Sequence, residues 1–132
     1  MKRMKEHEII AAVRRTAGLS DPESAKRAVK ATLSVLGRRL AGGEPKDLAS
    51  QLPPAIAEAL PREGPGERFG IEEFYRRVAE AEGVPIETAR EHAQAVAAVL
   101  KDAVTEGELD DVLAQLPAEY EELFGVSGRV RH

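Results

Sequence analysis

Between residues 106 and 111 the chain places four carboxylates, Glu106, Glu108, Asp110 and Asp111, a set of oxygen donors suited to a hard divalent cation. Their spacing lacks the alternating acids and central glycine of a calcium-binding loop. A related segment earlier in the chain offers only Glu44 and Asp47. Acids in the first turn of a helix meet the positive end of its dipole, which accounts for these residues without a metal. The expectation is no metal and no cofactor. Catalytic groups are equally sparse. The histidines are His7, His92 and His132, and His92 falls at the margin of an apolar helical face, where a satisfied, partly covered imidazole is expected. The serines have no nucleophile-elbow context, and the glycines are scattered rather than gathered into a phosphate-cradling loop. No catalytic residue is assigned and no enzyme is expected.

A second constellation is cationic: Lys26, Arg27, Lys30, Arg38 and Arg39, with Arg14 and Arg15 nearby in sequence. Such a stripe can meet nucleic-acid phosphates. The chain as a whole carries −4, however, no aromatic interleaves with the stripe, and no recognition-helix motif is present. These features argue against nucleic acid and leave the stripe as either a solvated helix face or a protein-interaction surface. Residues 1–60 carry 11 Lys/Arg against 7 Asp/Glu, a net +4, whereas residues 61–132 carry 8 against 16, a net −8. A polarity of this kind favours contact between unlike halves of two copies.

The elements that position these groups are written twice. GGEPKDLASQLP (42–53) and EGELDDVLAQLP (106–117) share six of twelve residues at an offset of 64. The same offset pairs Glu23 with Glu87, Ala25 with Ala89, Ala31 with Ala95, Val35 with Val99 and Leu36 with Leu100. Upstream it becomes 65, pairing Val13 with Val78 and Gly18 with Gly83. A period of this length marks a duplicated supersecondary unit. Each copy opens with an amphipathic helix, carrying Ile9, Ile10, Val13 and Ala17 on one face in the first and Ile71, Phe74, Tyr75 and Val78 in the second. Gly18 and Gly83 fit left-handed C-terminal caps. Asp21-Pro22 and Pro85 then start long helices over about 22–41 and 86–106. In the repeated phrase, Gly43 and Gly107 are read as the stops of those helices, with Glu44 and Glu108 in the first turn of a short one. Asp47 and Gln51, and likewise Asp111 and Gln115, are four apart and are expected to pair. Leu52 and Leu116, each before a proline, are expected to end the short helix, and Pro53 and Pro117 to start another over 53–60 and 117–124.

The predicted fold is all-α: two tandem helical repeats in one domain, packed as a bundle about an approximate twofold axis. The boundaries are repeat one at about 4–60, a linker at 61–70, repeat two at about 71–124, and a flexible tail at 125–132. The expected shared core is Val13, Val29, Leu33, Leu36, Leu48, Leu52, Phe74, Val78, Val96, Leu100, Val112, Leu116 and Phe124. The absence of cysteine excludes disulfides and thiolate chemistry and fits a reducing compartment. The longest apolar stretch, AQAVAAVL (93–100), is far short of a membrane span, and Glu6 and Glu8 interrupt any signal-peptide pattern, so a cytoplasmic protein is expected.

The paired phrase, together with RFGIEEFYRRVAEAEGV (68–84) and LPAEYEELF (116–124), resembles a bacterial family of unknown function, the one numbered twenty-two sixty-seven. That family repeats a pattern of Phe, Arg-Val-Ala, Gly, Gly-Glu, Asp-Val and Gln-Leu-Pro. The resemblance spans about residues 6–124; the first copy departs from the pattern at Ile9 and Pro45. It implies a duplicated helical fold and carries no activity. The functional expectation is a non-catalytic module that binds a protein partner or another copy of itself, with a homodimer allowed and no membrane contact; the alternatives are nucleic-acid binding through the basic first repeat and an enzyme or metal-binding protein that uses the acidic second repeat.

Overall fold

The structure is a computed structural model that describes residues 4–61 and 66–125. Among these residues every regular element is helical and there is no strand. The order is α1 (Glu6–Ala17), α2 (Pro22–Arg39), α3 (Glu44–Ala49), α4 (Pro54–Ala57), α5 (Ile71–Glu82), α6 (Ile86–Ala103), α7 (Glu106–Ala114), a 3-10 turn (Ala118–Tyr120) and α8 (Glu121–Phe124). Four of the ten linker residues, 62–65, and all but the first residue of the predicted flexible tail lie outside the described residues. No described helix is long and apolar enough to cross a membrane.

Local chemistry fixes where the main helices begin and end. The Lys5 N–H donates to Glu8 Oε1 at 2.7 Å at the start of α1. Asp21 Oδ1 accepts from the Ser24 N–H at 2.8 Å at the start of α2, and that bond is the main reason the Asp21 carboxyl is held below its ordinary range. Gly18 (φ 70°) and Gly83 (φ 77°) close α1 and α5 in the left-handed conformation, as their positions in the sequence predict.

Apolar faces set the packing. α1 lies on α2 and α5 on α6, while α1 also meets α6 and α2 meets α5, so the opening helix of each half of the chain packs against the long helix of the other half. Ala25, Ala28, Ala89 and Ala93 are fully buried on the two long helices, which also touch one another. Small side chains at such positions let helix axes approach closely. All thirteen expected core residues are buried, in one hydrophobic cluster drawn from both halves of the chain. α3 packs on α7, and α8 closes over α6.

The expected helix stops differ from those observed. The long helices end at Arg39 and Ala103, earlier than predicted, because Leu40 (ψ 154°) and Val104 (ψ 164°) turn extended. Gly43 directly precedes α3, and Gly107 is the second residue of α7, so neither is a stop. The start of α7 is set instead by Thr105, whose Oγ1 accepts from the Glu108 N–H at 3.2 Å. The helix expected over 53–60 is a single turn, α4, after which the chain runs to Pro61 across α2.

That crossing explains a glycine inside a helix. A Cβ on Gly37 would stand 2.5 Å from Pro61 Cδ and 3.1 Å from the Pro61 backbone N and O. In an open helix, Gly→Ala gains about 1 kcal/mol. Here the displaced proline backbone outweighs it, and Gly37→Ala is expected to lower stability by about 1–2 kcal/mol. A urea midpoint at or above that of the parent would place Pro61 elsewhere.

Candidate functional site

The repeated phrase builds the most unusual chemistry in the molecule, where α3 meets α7. Glu44 is the first residue of α3 and Glu108 the third of α7. Both are in the first turn, as predicted, but they turn inward and are only 8% and 7% exposed. One carboxylate oxygen from each of Glu44, Glu108 and Asp111 lies within 4.8 Å of the others. Burial first, then a hydrogen bond with Glu44 and the negative charges of Glu44, Asp47 and Asp111, push the Glu108 carboxyl up to about 8. Glu44 Oε2 and Glu108 Oε2 are buried without a hydrogen-bond partner among the described residues. Dipole complementarity alone does not account for such a pair, since charge at a helix start is ordinarily left in water. The cluster escaped the sequence reading because its members come from different copies. The signal was present in the identical Gly-Glu step at the 64-residue offset.

The glutamines of the phrase do not pair with Asp47 and Asp111; they cross to the other copy. Gln51 Oε1 accepts from the Thr105 N–H at 2.8 Å, and Gln51 Nε2 donates to Thr105 Oγ1 at 3.3 Å. Gln115 Oε1 accepts from the Ala41 N–H at 2.8 Å, and Gln115 Nε2 donates to the Ala41 carbonyl at 3.2 Å. Ala41 and Thr105 are themselves related by the 64-residue offset. A backbone amide freed by the end of a long helix needs an acceptor more than a solvated aspartate needs an amide, and this decides where the glutamines go. Gln51→Ala and Gln115→Ala are each expected to cost about 1–2 kcal/mol, two modest bonds apiece. Urea titrations check the values. Pro53 and Pro117 sit just beyond these glutamines, before α4 and the 3-10 turn.

The cationic stripe divides. Lys30 and Arg38 are exposed. Lys26 has Glu23 at 4.0 Å, and Arg27 Nη2 donates to Ser24 Oγ at 3.2 Å. Arg39 does not belong to a free surface. Its Nε donates to the Phe69 carbonyl at 2.9 Å, and its guanidinium stands 5.8 Å from the Phe69 ring centre and 5.4 Å from that of Tyr120. The reason is the Phe69 segment, which crosses the end of α2 and offers an aromatic face and a carbonyl that accepts from Arg39 as well as from the Tyr120 hydroxyl. Lys26 instead opens on a groove of about 710 Å³ beside α1, lined with Ile10, Ala11 and Pro22 and with the cations Lys5 and Arg14. Glu6, His7 and Glu23 complete its wall.

His92 is buried and paired through Nδ1 with Glu82 Oε2, tying α6 to the end of α5. Tyr75 O–H donates to Glu122 at 2.8 Å and accepts from Gln94 at 3.0 Å. Tyr120 O–H donates to the Phe69 carbonyl at 2.7 Å, and burial pushes this phenol up to about 12. These groups hold elements together.

Two comparisons bear on identity. No curated protein matches the chain. The family model described as "Uncharacterized conserved protein (DUF2267)" matches residues 6–123, nearly the whole chain, and the chain belongs to that family.

Proposed function

We propose that this member of the DUF2267 family is a non-catalytic, cytoplasmic interaction module whose α1–α2 groove docks an acidic surface, supplied by the second half of another copy. The observation that carries this reading is the groove itself, lined by Ile10, Ala11 and Pro22 with three cations, Lys5, Arg14 and Lys26, against two acids, Glu6 and Glu23. It sits in a half with net charge +4, while residues 61–132 carry −8. Opposite fields speed and orient encounter. A contact between unlike patches is heterologous, so copies add head to tail. The reciprocal packing of the helices and the crossed glutamines support a repeat arranged about an approximate twofold axis, with surface charge as the main difference between its halves.

Sedimentation velocity tests the proposal. In about 50 mM salt the weight-average mass is expected to rise with protein concentration, and in about 500 mM salt the effect should vanish because exposed charges are screened. Lys26→Glu with Lys30→Glu should abolish association at low salt. A protein that stays monomeric at every concentration in low salt ends the self-association reading. Tight, steeply salt-dependent binding of a short DNA or RNA duplex would replace it with nucleic-acid binding.

A further inference from the structure

We infer that Glu44, Glu108 and Asp111 form a calcium site at the junction of α3 and α7. This inference is independent of the docking groove. Three carboxylates from two helices converge there, each with an oxygen within 4.8 Å of the other two. Acidity alone would not indicate a ligand. The second observation is that Glu44 and Glu108 are more than nine-tenths buried, and Oε2 of each has no donor. Buried carboxylate oxygens are ordinarily paired with a cation or with hydrogen-bond donors. No basic side chain pairs with them among the described residues, and Asp47 adds further negative charge. Asp111 is exposed, which leaves the junction open on one side for entry and for water ligands.

Geometry selects the cation. Carboxylates drawn from two separate helices form an irregular set, which Ca²⁺ accepts with its flexible shell of oxygen ligands at about 2.3–2.6 Å. Mg²⁺ demands a near-ideal octahedron at about 2.0–2.1 Å and gives up its waters reluctantly. All-oxygen carboxylate ligation also disfavours softer metals.

The full chain, stripped with EDTA near neutral pH, is titrated with CaCl₂ and separately with MgCl₂, and followed by thermal unfolding and calorimetry. Ca²⁺ is expected to raise the melting temperature saturably, as a ligand of the folded state does, with one ion bound per chain and a weaker response to Mg²⁺. Glu108→Gln and Glu44→Gln should abolish the response while remaining folded by circular dichroism. Asp111→Asn, at an exposed position that does not threaten folding, should weaken Ca²⁺ at least about tenfold. Glu106→Gln, outside the cluster, should leave the affinity unchanged. No response at about 10 mM Ca²⁺, above the range of the weakest ordinary calcium sites, overturns the inference and leaves a junction that holds a proton only. A response equal for Mg²⁺, or one that survives Glu108→Gln, overturns it as well.

Discussion

Phe74→Ala is expected to lower the unfolding free energy by about 3–5 kcal/mol, the range for emptying a fully buried aromatic position. Phe74 has no exposed surface. Its ring meets Tyr75 edge-on at 6.2 Å and Tyr120 edge-on at 5.7 Å, a geometry worth more than area burial alone. The loss reaches further than one side chain. Tyr120 fastens Phe69 and Gly70 through its hydroxyl at 2.7 and 3.2 Å, and Glu119 Oε2 accepts from the Ile71 N–H at 3.0 Å at the start of α5. Loosening the Tyr120 ring therefore loosens the entry to α5. Phe74→Leu, which keeps an apolar body, should cost less than half as much. Urea unfolding followed by circular dichroism gives both values. An unchanged midpoint for Phe74→Ala would remove this residue from the centre of the fold.

The same position shows why part of the fold was legible in advance. Phe74 replaces Ile9 of the first copy at the 65-residue offset, and Tyr120 replaces Ile56 at 64. A helical period in the apolar residues suffices to place Ile9, Val13, Phe74 and Val78 on inward faces, because burial of a face is a property of a single helix. Capping by Gly18, Asp21 and Gly83 is equally local and was equally readable. What could not be read is where polar side chains go when two acceptors or donors compete. Gln51 and Gln115 have aspartates one turn away but reach across the bundle. Arg39 has the spacing of a solvated stripe but is drawn under Phe69. Gly107 follows a long helix in sequence but lies inside the next one, because Thr105 caps it. Each outcome depends on which segment lies opposite, a tertiary fact that no periodicity carries. The meeting of Glu44 with Glu108 is of this kind: each is an ordinary helix-start acid until α3 and α7 are laid side by side.

That meeting predicts a pH dependence with a definite sign. In the presence of EDTA, the protein is expected to be more stable at pH 5 than at pH 9, by roughly 2–4 kcal/mol attributable to Glu108. The folded state raises this carboxyl from an ordinary 4.5 to about 8, through burial first and then through Glu44, Asp47 and Asp111. Between those values the folded protein holds a proton that the unfolded chain has released. Stability is fully present below about 4.5 and is lost as pH rises through 8. The opposite sign applies to Glu73, which Arg76 and Arg77 hold down to about 2. Its contribution is present above 4.5 and disappears as pH falls towards 2, so pH 5 is a clean lower end for the comparison. Glu108→Gln isolates the effect. The amide keeps the shape, donates towards Glu44 without titrating, and should give a protein that matches the parent at pH 5 and exceeds it at pH 9. Urea midpoints at both pH values decide the matter; parallel pH profiles for the two proteins would mean that Glu108 is ionised in the fold at both. Ca²⁺ and the proton compete for the same oxygens, so a bound cation should flatten the parent's profile as well. Flattening by Ca²⁺ in the parent but not in Glu108→Gln, whose profile is already flat, would tie both effects to one carboxylate.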